Sequence, residues 1–344
     1  MDLEPSPPVS GPWLEVLRER ARRSVRPAVW AYVEAGSAEG VTTAEAHQAW
    51  RGVRFRTRVL RGVGEVSLAT TLLGSEVGSP LAVAPTAMQR AIHPAGERAM
   101  AEGAADAGAL HVVSSNSGTR FSDLPAAGPW WLQAYVPPER DLFRPVVESA
   151  VAAGARAVAL TVDTPYPGSK RGVDDEDWTG IDLSWWRSNY PDADEGRWNT
   201  RLTYDDIGWL REVAGVPVVV KGVLRGDDAV RCLDAGAEAV YVSNHGGRQL
   251  DRAVSTATAL GEVVAAVGDR AEVYVDGGIR SGADALAALA LGARGVFVGR
   301  PALWALAADG AAGVSRLLTE LGAELKEALE LAGCATADDA PDLL

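Results

Sequence analysis

Eight short apolar runs, separated by alanine-rich stretches, restrict the fold of this chain more than any other feature. The runs occupy residues 81–84, 110–113, 131–134, 157–160, 216–220, 239–242, 272–275 and 295–298. Continuous rather than alternating apolar runs are typical of strands buried on both faces, as in a parallel sheet. The intervening residues 99–107, 229–235 and 283–291 have helical spacing. Eight strand–helix units predict an α/β fold, a closed (β/α)8 TIM barrel, with a doubly wound open sheet as the alternative.

The length and the composition fit such a barrel as a single domain. The chain has 344 residues, of which 47% are hydrophobic and 23% charged, and this composition argues against disorder. We assign residues 1–12, which contain four prolines, to a flexible N-terminal arm. Residues 13–344 then form one domain, with the barrel proper at about residues 80–330.

Two segments depart from the regular alternation. Residues 13–32 have the apolar spacing of a short helical segment, broken near Pro27, and residues 36–78 are polar and arginine-rich, with short strands expected. The connection 165–201, after the fourth barrel strand, is long and acidic and contains Trp178, Trp185, Trp186 and Trp198. Its length and its place on the C-terminal face predict a mobile lid over the site. The alternative is a surface loop whose tryptophans merely pack on the barrel.

Charge and cysteine content argue against several classes of function. Asp and Glu number 46 against 33 Lys and Arg, and a net charge of -13 without a local basic patch disfavours a nucleic-acid partner. Cys232 and Cys334 lack zinc or disulfide spacing, and the histidines lack metal-ligand spacing, so we expect no metal and a cytoplasmic location. No apolar run is long enough for a bilayer and no signal pattern opens the chain, so no membrane association is expected.

Residues other than large apolar ones, most of them polar or glycine, lie at the carboxyl end of nearly every predicted strand. They are Pro85, Thr86 and Ala87; Ser114; Gln133 and Tyr135; Thr161 and Asp163; Lys221; Ser243 and His245; Asp276, Gly277 and Gly278; and Gly299 and Arg300. A buried core needs none of these groups. Their recurrence at the same end of every strand is the arrangement of a barrel active site.

The last two strand–helix units carry the pattern of a phosphate site. Gly277, Gly278 and Arg280 precede one predicted helix, and Gly299 and Arg300 precede the next. Glycines allow backbone N–H groups to approach an anion at a helix N-terminus, and arginines add charge-assisted hydrogen bonds. The alternative is a pair of glycine turns with surface arginines.

Residues 243–251, Ser-Asn-His-Gly-Gly-Arg-Gln-Leu-Asp, are the most informative stretch. His245 follows a buried strand and is next to two glycines, where its imidazole is suited to act as a general base near neutral pH. Arg248 is suited to binding a substrate carboxylate. Lys221 ends a run of valines at a strand tip, where a Schiff base, a phosphate contact and stabilisation of a reduced cofactor all remain open.

These residues resemble the FMN-dependent α-hydroxy-acid oxidase and dehydrogenase family, which includes glycolate, lactate and mandelate oxidases. The resemblance extends from about residue 13 to about residue 334 and is carried by residues 84–88, 160–165, 220–222, 243–251, 276–280 and 299–301. It implies a (β/α)8 barrel with bound FMN. It also implies a homo-oligomer, either a tetramer or an octamer.

The same resemblance implies a role for each site residue. His245 would be the base, paired with Asp163 and assisted by Tyr135, while Tyr32, Tyr135 and Arg248 would contact the substrate. Lys221 would lie at the N1/O2 edge of the flavin, and the residues from Asp276 onward would hold the phosphate end. The full set implied for FMN is Pro85, Thr86, Ala87, Ser114, Gln133, Thr161, Lys221, Ser243, Asp276, Gly277, Gly278, Arg280, Gly299 and Arg300.

The implied reaction is oxidation of a small-molecule 2-hydroxy acid to a 2-oxo acid. His245 would take the hydroxyl proton while the α-hydrogen leaves as hydride to flavin N5, and a carbanion route would use the same residues. In this family alanine at the position of Ala87 favours O2 as the oxidant. The alternatives are an FMN-dependent isomerase and oxidation of a non-standard substrate, namely an amine or a peptide-derived alcohol.

One position departs from the family pattern. Members of the family place a second substrate-binding arginine after the fourth strand, where this chain has Lys170, followed by Arg171. Lysine keeps the charge but lacks the planar two-pronged donor that matches a carboxylate. The sequence leaves open whether Lys170 or Arg171 takes that role.

Overall fold

The structure, a computed structural model, describes residues 13–170, 173, 178–190 and 199–344. Helices α1 (Trp13–Ser24) and α2 (Pro27–Glu34) confirm the predicted break near Pro27. Pro27 opens α2, where its missing N–H removes no helical hydrogen bond. The predicted flexible arm, residues 1–12, lies outside the described residues.

Helix α3 (Val41–Arg51) occupies a segment for which the sequence predicts only short strands. Its buried face consists of Thr42, Ala46 and Trp50, which are four residues apart. The helical period is hard to detect in the sequence because threonine and alanine are only weakly apolar. The expected short strands do occur later in this segment, as β1 (Thr70–Leu72) and β2 (Ser75–Val77), which form an antiparallel hairpin.

Eight strands of the described chain close into a parallel barrel, and the predicted (β/α)8 fold is confirmed. They are β3 (Leu81–Val83), β4 (Leu110–Ser114), β5 (Trp130–Ala134), β6 (Val158–Thr161), β7 (Val218–Val223), β8 (Ala239–Val242), β9 (Glu272–Val275) and β10 (Gly295–Val298). The strands neighbour one another in chain order, and β10 pairs with β3 to complete the ring. Almost every strand residue is buried, as the continuous apolar runs predict.

Helices follow the barrel strands and cover the outside of the barrel. They are α4 (Gln89–Ile92), α5 (Gly96–Asp106), α6 (Arg140–Ala152), α7 (Asp205–Ala214), α8 (Gly226–Asp234), α9 (Thr256–Val267), α10 (Gly282–Ala290) and α11 (Arg300–Ala332). Short 3-10 turns occur at Phe121–Asp123, His245–Gly247, Gly268–Arg270 and Ala337–Leu343. The three stretches with helical spacing correspond to α5, α8 and α10. No helix of the described ranges has both the length and the apolarity needed to cross a bilayer.

Aromatic side chains fill the barrel interior and support the floor of the site. Trp131, Tyr241, Tyr274 and Phe297 are all fully buried there. The rings of Tyr241 and Phe297 have centroids 4.7 Å apart, and those of Trp131 and Tyr274 are 5.3 Å apart. Leu72 of the hairpin belongs to the same apolar cluster. Because side chains fill the interior, the space available to a ligand lies at the strand ends.

Candidate active site

A cavity of about 330 Å³ lies at the carboxyl ends of the barrel strands. Its lining includes most of the predicted site residues: Tyr32, Pro85, Thr86, Ala87, Ser114, Gln133, Tyr135, Thr161, Lys170, Lys221, His245, Arg248, Asp276, Gly277, Gly278, Arg280, Gly299 and Arg300. Asp163 and Ser243 contact lining residues from behind. Arg171 lies outside the described residues. The chain therefore folds so that residues from all eight strand ends and from α2 surround one space.

His245 lies between a carboxylate and a phenol. Its Nδ1 is 3.1 Å from Asp163 Oδ1 and its Nε2 is 3.3 Å from the hydroxyl oxygen of Tyr135. Its backbone has a φ of 58°, in the left-handed region that residues with a side chain rarely adopt. Such strain is typical of functional sites. The turn directs the imidazole into the cavity while Asp163 stays behind it.

Asp163 is ionised in this arrangement. Burial by itself raises the pKa of Asp163, but the charge and hydrogen bond of His245, supported by Lys221, hold that pKa below its ordinary value. A carboxylate accepts a hydrogen bond from Nδ1–H and so fixes the tautomer in which Nε2 is free to take a proton. Burial, together with the nearby charge of Asp163, raises the pKa of Tyr135, which stays a protonated phenol.

A glycine in β7 makes room for this carboxylate. The register of β7 against β8 shifts between Lys221 and Val223, and Gly222 between them has a φ of 109°. A Cβ on Gly222 would lie 2.7 Å from both Cβ and Cγ of Asp163. Only glycine relieves both restrictions, the positive φ and the close approach.

Three polar side chains from neighbouring strands form a buried network under the cavity. The Nζ of Lys221 donates to Ser243 Oγ (2.8 Å) and lies 3.4 Å from Asp276 Oδ2. The Ser243 hydroxyl donates to Asp276 Oδ1 at 2.6 Å. Because β7, β8 and β9 are adjacent, their tips bring these groups together although they are far apart in sequence. The network holds the ammonium group of Lys221 in place at the cavity wall.

A second buried network extends along the opposite wall. Gln133 accepts a hydrogen bond from the hydroxyl of Ser114 at Oε1 (2.9 Å) and donates from Nε2 to Thr161 Oγ1 (2.9 Å). All three side chains are buried and belong to the adjacent strands β4, β5 and β6. They present fixed hydrogen-bonding groups to any ligand on this side.

Two cations occupy the end of the cavity near α2. The Nη1 of Arg248 donates to the carbonyl oxygens of Tyr32 (2.8 Å) and Ala35 (3.0 Å), and its guanidinium lies 4.7 Å from the centroid of the Tyr32 ring. Lys170 donates from Nζ to the carbonyl of Gly168 at 3.1 Å. Burial, with repulsion from Arg248, lowers the pKa of Lys170 to about 8. Lys170 and Arg248 therefore belong to one site, as the sequence predicts.

The phosphate-type end contains positive charge without a paired carboxylate. Arg300 donates to the carbonyls of Val33 (3.0 Å), Ala35 (3.0 Å) and Gly246 (2.8 Å), and the described residues give it no carboxylate partner. Burial, followed by repulsion from Arg248 and Arg280, lowers the pKa of Arg300.

The backbone beside these arginines is suited to an anion. Gly277 and Gly278 have φ values of 93° and 84°, and a Cβ on Gly278 would overlap the carbonyl of Ala46. Helix α10 begins at Gly282, two residues after the cavity-lining Arg280, and α11 begins at the lining residue Arg300, so both N-termini lie near the cavity. Helix N-termini carry partial positive charge, which adds to that of the arginines.

Several lining residues escaped the sequence analysis: Asn116, Thr164, Pro167, Trp186 and Gln249. Thr164 and Gln249 adjoin predicted residues, and Gln249 ties the loop together by donating to the carbonyl of Asp163 at 3.0 Å. The only indication in the sequence is that Thr164 and Gln249 lie within the motifs at residues 160–165 and 243–251. Trp186 lies in the long connection, where no periodic pattern marks one tryptophan as different from the others.

The described part of the long connection, residues 178–190, is docked on the barrel. Trp185 is buried, Trp186 lines the cavity, and Trp178 makes an edge contact with Tyr32 at 5.5 Å. Trp185 thus packs on the barrel, as the surface-loop interpretation expects, while Trp186 lies at the site, as the lid interpretation expects. The movement of a lid stays a prediction. Trp198 lies outside the described residues. Within the described ranges, no group of three or more His, Cys, Asp or Glu side chains is placed to hold a metal ion.

This chain is similar to known proteins over most of its length, including the barrel and the residues of this site. Residues 21–344 match the profile of the FMN-dependent dehydrogenase family. L-lactate oxidase of Nostoc sp. is 40% identical over 330 residues, 90% of each chain. Glycolate oxidase 3 of Arabidopsis thaliana is 38% identical over 331 residues, 91% of this chain and 90% of that protein. A solved structure of mandelate oxidase with benzoyl-formic acid is 38% identical, with a TM-score of 0.90, over 96% of this chain and 97% of that one.

Proposed function

This chain belongs to the FMN-dependent dehydrogenase family, and from that premise we propose that it oxidises a 2-hydroxy acid to the 2-oxo acid with bound FMN. The observation that carries the proposal is the placement of His245 between Asp163 and Tyr135, facing a cavity that also contains Arg248 and Lys170. A base, its orienting carboxylate and cations for a substrate carboxylate are the groups that this reaction requires.

The residues of the cavity fit FMN. Its phosphate is the kind of anion that would offset the charge of the Arg280 and Arg300 guanidinium groups, which make no hydrogen bond to a carboxylate of the described chain. The backbone at Gly277 and Gly278 and the start of two helices add N–H donors there. Gln133, Ser114, Thr161 and Lys221 offer the polar groups for the ring edges. When bound, FMN supplies the acceptor for the two electrons that leave the substrate.

The chain's own residues handle the proton. With Nδ1–H donated to Asp163, His245 presents Nε2 as the acceptor for the proton of the substrate hydroxyl. Because His245 holds the pKa of Asp163 below its ordinary value, Asp163 stays a carboxylate. Its negative charge then stabilises the imidazolium that forms. Tyr135, a protonated phenol at 3.3 Å from Nε2, is placed to donate a hydrogen bond to a substrate oxygen at the same point.

Arg248 and Lys170 orient the substrate. The Nη1 of Arg248 donates to the backbone carbonyls of Tyr32 and Ala35, and these bonds hold the guanidinium in one position. Among the described residues, its other donors are left for a carboxylate. Lys170, at the same end of the cavity, adds a point charge. Because Lys170, Arg248 and His245 all line this cavity, we expect the substrate to be bound by its carboxylate next to His245.

We propose O2 as the final electron acceptor. The relatives named above are oxidases, and Ala87 lines the cavity as the sequence analysis expects. These relatives act on lactate and glycolate according to their names, which also favours oxidation over the isomerase alternative.

Two measurements on purified protein test the proposal. Flavin released by heat and identified by chromatography should be FMN; FAD, or folded protein without flavin, contradicts it. Anaerobic mixing with lactate, glycolate or mandelate should bleach the flavin absorbance, and propionate, which has no hydroxyl, is the control. If none of the three acids bleaches bound FMN, the 2-hydroxy-acid proposal is wrong and the amine or peptide-derived alcohol is tested next.

A further inference from the structure

Two adjacent tryptophans of the long connection face opposite ways. Trp185 is buried against Gly118, where any Cβ would overlap its ring, and the guanidinium of Arg90 lies 5.8 Å from that ring's centroid. Trp186, the next residue, lines the cavity. One tryptophan therefore fixes the segment to the barrel while the other forms part of the site wall.

Hydrogen bonds dock this segment on the loop after β4. Ser188 donates from N to the carbonyl of Ser117 (3.2 Å) and from Oγ to the carbonyl of Gly118 (3.0 Å). Asn189 donates from Nδ2 to Ser117 Oγ (3.0 Å) and to the carbonyl of Thr119 (2.9 Å), and accepts from Phe121 N (2.9 Å). These hydrogen bonds restrict the position of Trp186 more than the position of a residue in a solvent-exposed loop is restricted.

The loop that receives the segment is itself held from below. Glu97 of α5 is fully buried and accepts from Gly118 N (3.2 Å) and from the hydroxyl of Thr119 (2.8 Å). The docked segment thus rests on a barrel helix through a continuous set of hydrogen bonds.

Arg187 contacts the ring of Trp186. Its φ is 58°, a left-handed conformation that turns the chain at this residue. Its Nε donates to Asn116 Oδ1 at 3.1 Å, and its guanidinium lies 5.8 Å from the centroid of the Trp186 ring. A cation near an indole ring adds an attractive contact. The indole is therefore held as a wall of the cavity beside Asn116.

The neighbouring wall is aromatic as well. Tyr32 lines the same cavity and is supported by Trp178, whose ring meets it edge-on at 86°. Pro167 and the cation Lys170 also line the cavity. Rigid aromatic walls favour an aromatic ligand through stacked and edge contacts beyond simple burial.

We infer that Trp186 is a specificity-determining residue that contacts the C2 substituent of the substrate and selects 2-hydroxy acids with an aromatic ring. The inference rests on the proposed function, since it assumes that a 2-hydroxy acid is bound by Arg248 and Lys170. Its carboxylate then lies against the cations, and the substituent on C2 extends toward Trp186.

The test compares mandelate with lactate on the holoenzyme. Wild type should have the higher kcat/KM for mandelate. Trp186→Leu should lower kcat/KM for mandelate by about tenfold and for lactate by less than about twofold, whereas Trp186→Phe should keep the preference. Trp209→Leu, a matched change on α7 outside the cavity lining, should alter neither value. FMN content and unfolding temperature of each variant show whether the fold is intact.

A wild-type preference for lactate, or equal losses on the two acids in Trp186→Leu with FMN bound, overturns the inference. Binding of product analogues to wild type gives a second reading that needs no variant: benzoylformate should bind at least about tenfold tighter than pyruvate, and equal affinities also overturn it. A wild type that oxidises none of lactate, glycolate and mandelate contradicts the proposed function instead, which separates the two failures.

Discussion

At the scale of single residues, the chemistry depends on which imidazole nitrogen faces the cavity. Asp163 engages Nδ1 of His245 at 3.1 Å, and the hydroxyl of Thr164 lies 3.3 Å from the same nitrogen. Nε2 therefore faces the cavity and the hydroxyl of Tyr135. A base oriented in this way accepts a proton without having to reorient first, which is what preorganisation contributes to a proton transfer.

Replacement of the base should separate catalysis from cofactor binding. We expect His245→Gln to retain FMN but to slow anaerobic flavin reduction by about 100-fold or more, because glutamine has no basic nitrogen. Stopped-flow absorbance measures the rate. His93→Gln is the control, since His93 lies outside the cavity lining, where its Nδ1 accepts from Ala95 N at 3.2 Å. An unchanged reduction rate in His245→Gln would exclude His245 as the base.

Lys170 should impose an alkaline limit on substrate binding. Burial lowers its pKa to about 8, so the ammonium form that attracts a carboxylate is present below that pH and is lost above it. We expect kcat/KM for the 2-hydroxy acid to fall with an apparent pKa of about 8. Lys170→Arg should remove this fall, because arginine stays charged at high pH.

The measurement is a profile of kcat/KM from about pH 6 to about pH 10, which reports groups of the free holoenzyme. Lys326→Arg makes the same exchange on α11, outside the cavity lining, and should leave the profile as it is in wild type. A profile for Lys170→Arg that coincides with wild type would show that another group causes the alkaline fall.

At the scale of elements, the irregularity of β7 serves the site. The register shift at Gly222 lets the strand pass Asp163 at a distance that no Cβ permits. The same strand places Lys221 against Ser243. One strand thereby positions a cation of the cavity lining and leaves room for the carboxylate that contacts His245.

Gly222→Ala should therefore damage both stability and catalysis. Its positive φ alone should lower the free energy of unfolding by about 1–2 kcal/mol, and overlap with Asp163 should lower it further and slow flavin reduction. Gly215→Ala is the matched control, because Gly215 has a φ of 62° but no atom within 4 Å of the added Cβ. Urea unfolding and reduction rates of both variants test this. Equal stability losses and equal rates would contradict the role assigned to Gly222.

At the scale of the whole molecule, an acidic chain surrounds a basic site. The net charge is -13, yet Lys170, Lys221, Arg248, Arg280 and Arg300 all line one cavity. A cluster of one sign within a cleft attracts ligands of the other sign even when the total charge repels them. The charge distribution, rather than the net charge, therefore agrees with an anionic substrate and an anionic cofactor.

The homo-oligomer and the cytoplasmic location stay predictions, and the structure offers a place to test the first. Val59 and Leu60 are adjacent and 78% and 102% exposed, and we propose that they form part of the interface between copies. We expect light scattering to give a mass above that of one 36.1 kDa chain. Leu60→Asp should reduce it, and Leu331→Asp, at a 74% exposed leucine of α11, should not. A monomeric wild type would contradict the prediction.

Local patterns in the sequence were enough for the barrel and for most of the cavity lining. The eight apolar runs correspond to the eight strands because burial on both faces leaves a continuous run that needs no distant information. Gln133 was predictable because it lies near the carboxyl end of one of those runs, and Arg280 because it follows another run within five residues. Helix α3 was missed because its buried face is largely threonine and alanine.

The chain's own sequence thus determined the fold and the strand ends and predicted a candidate base, His245, whereas the tertiary structure decided how the groups meet. His245 and Asp163 are 82 residues apart, and their 3.1 Å contact exists only because β6 and β8 belong to one closed ring. Trp186 faces the cavity because its segment is docked on the loop after β4, a contact between residues about 70 positions apart. Local periodicity carries no information about such contacts, since they depend on barrel closure and loop packing.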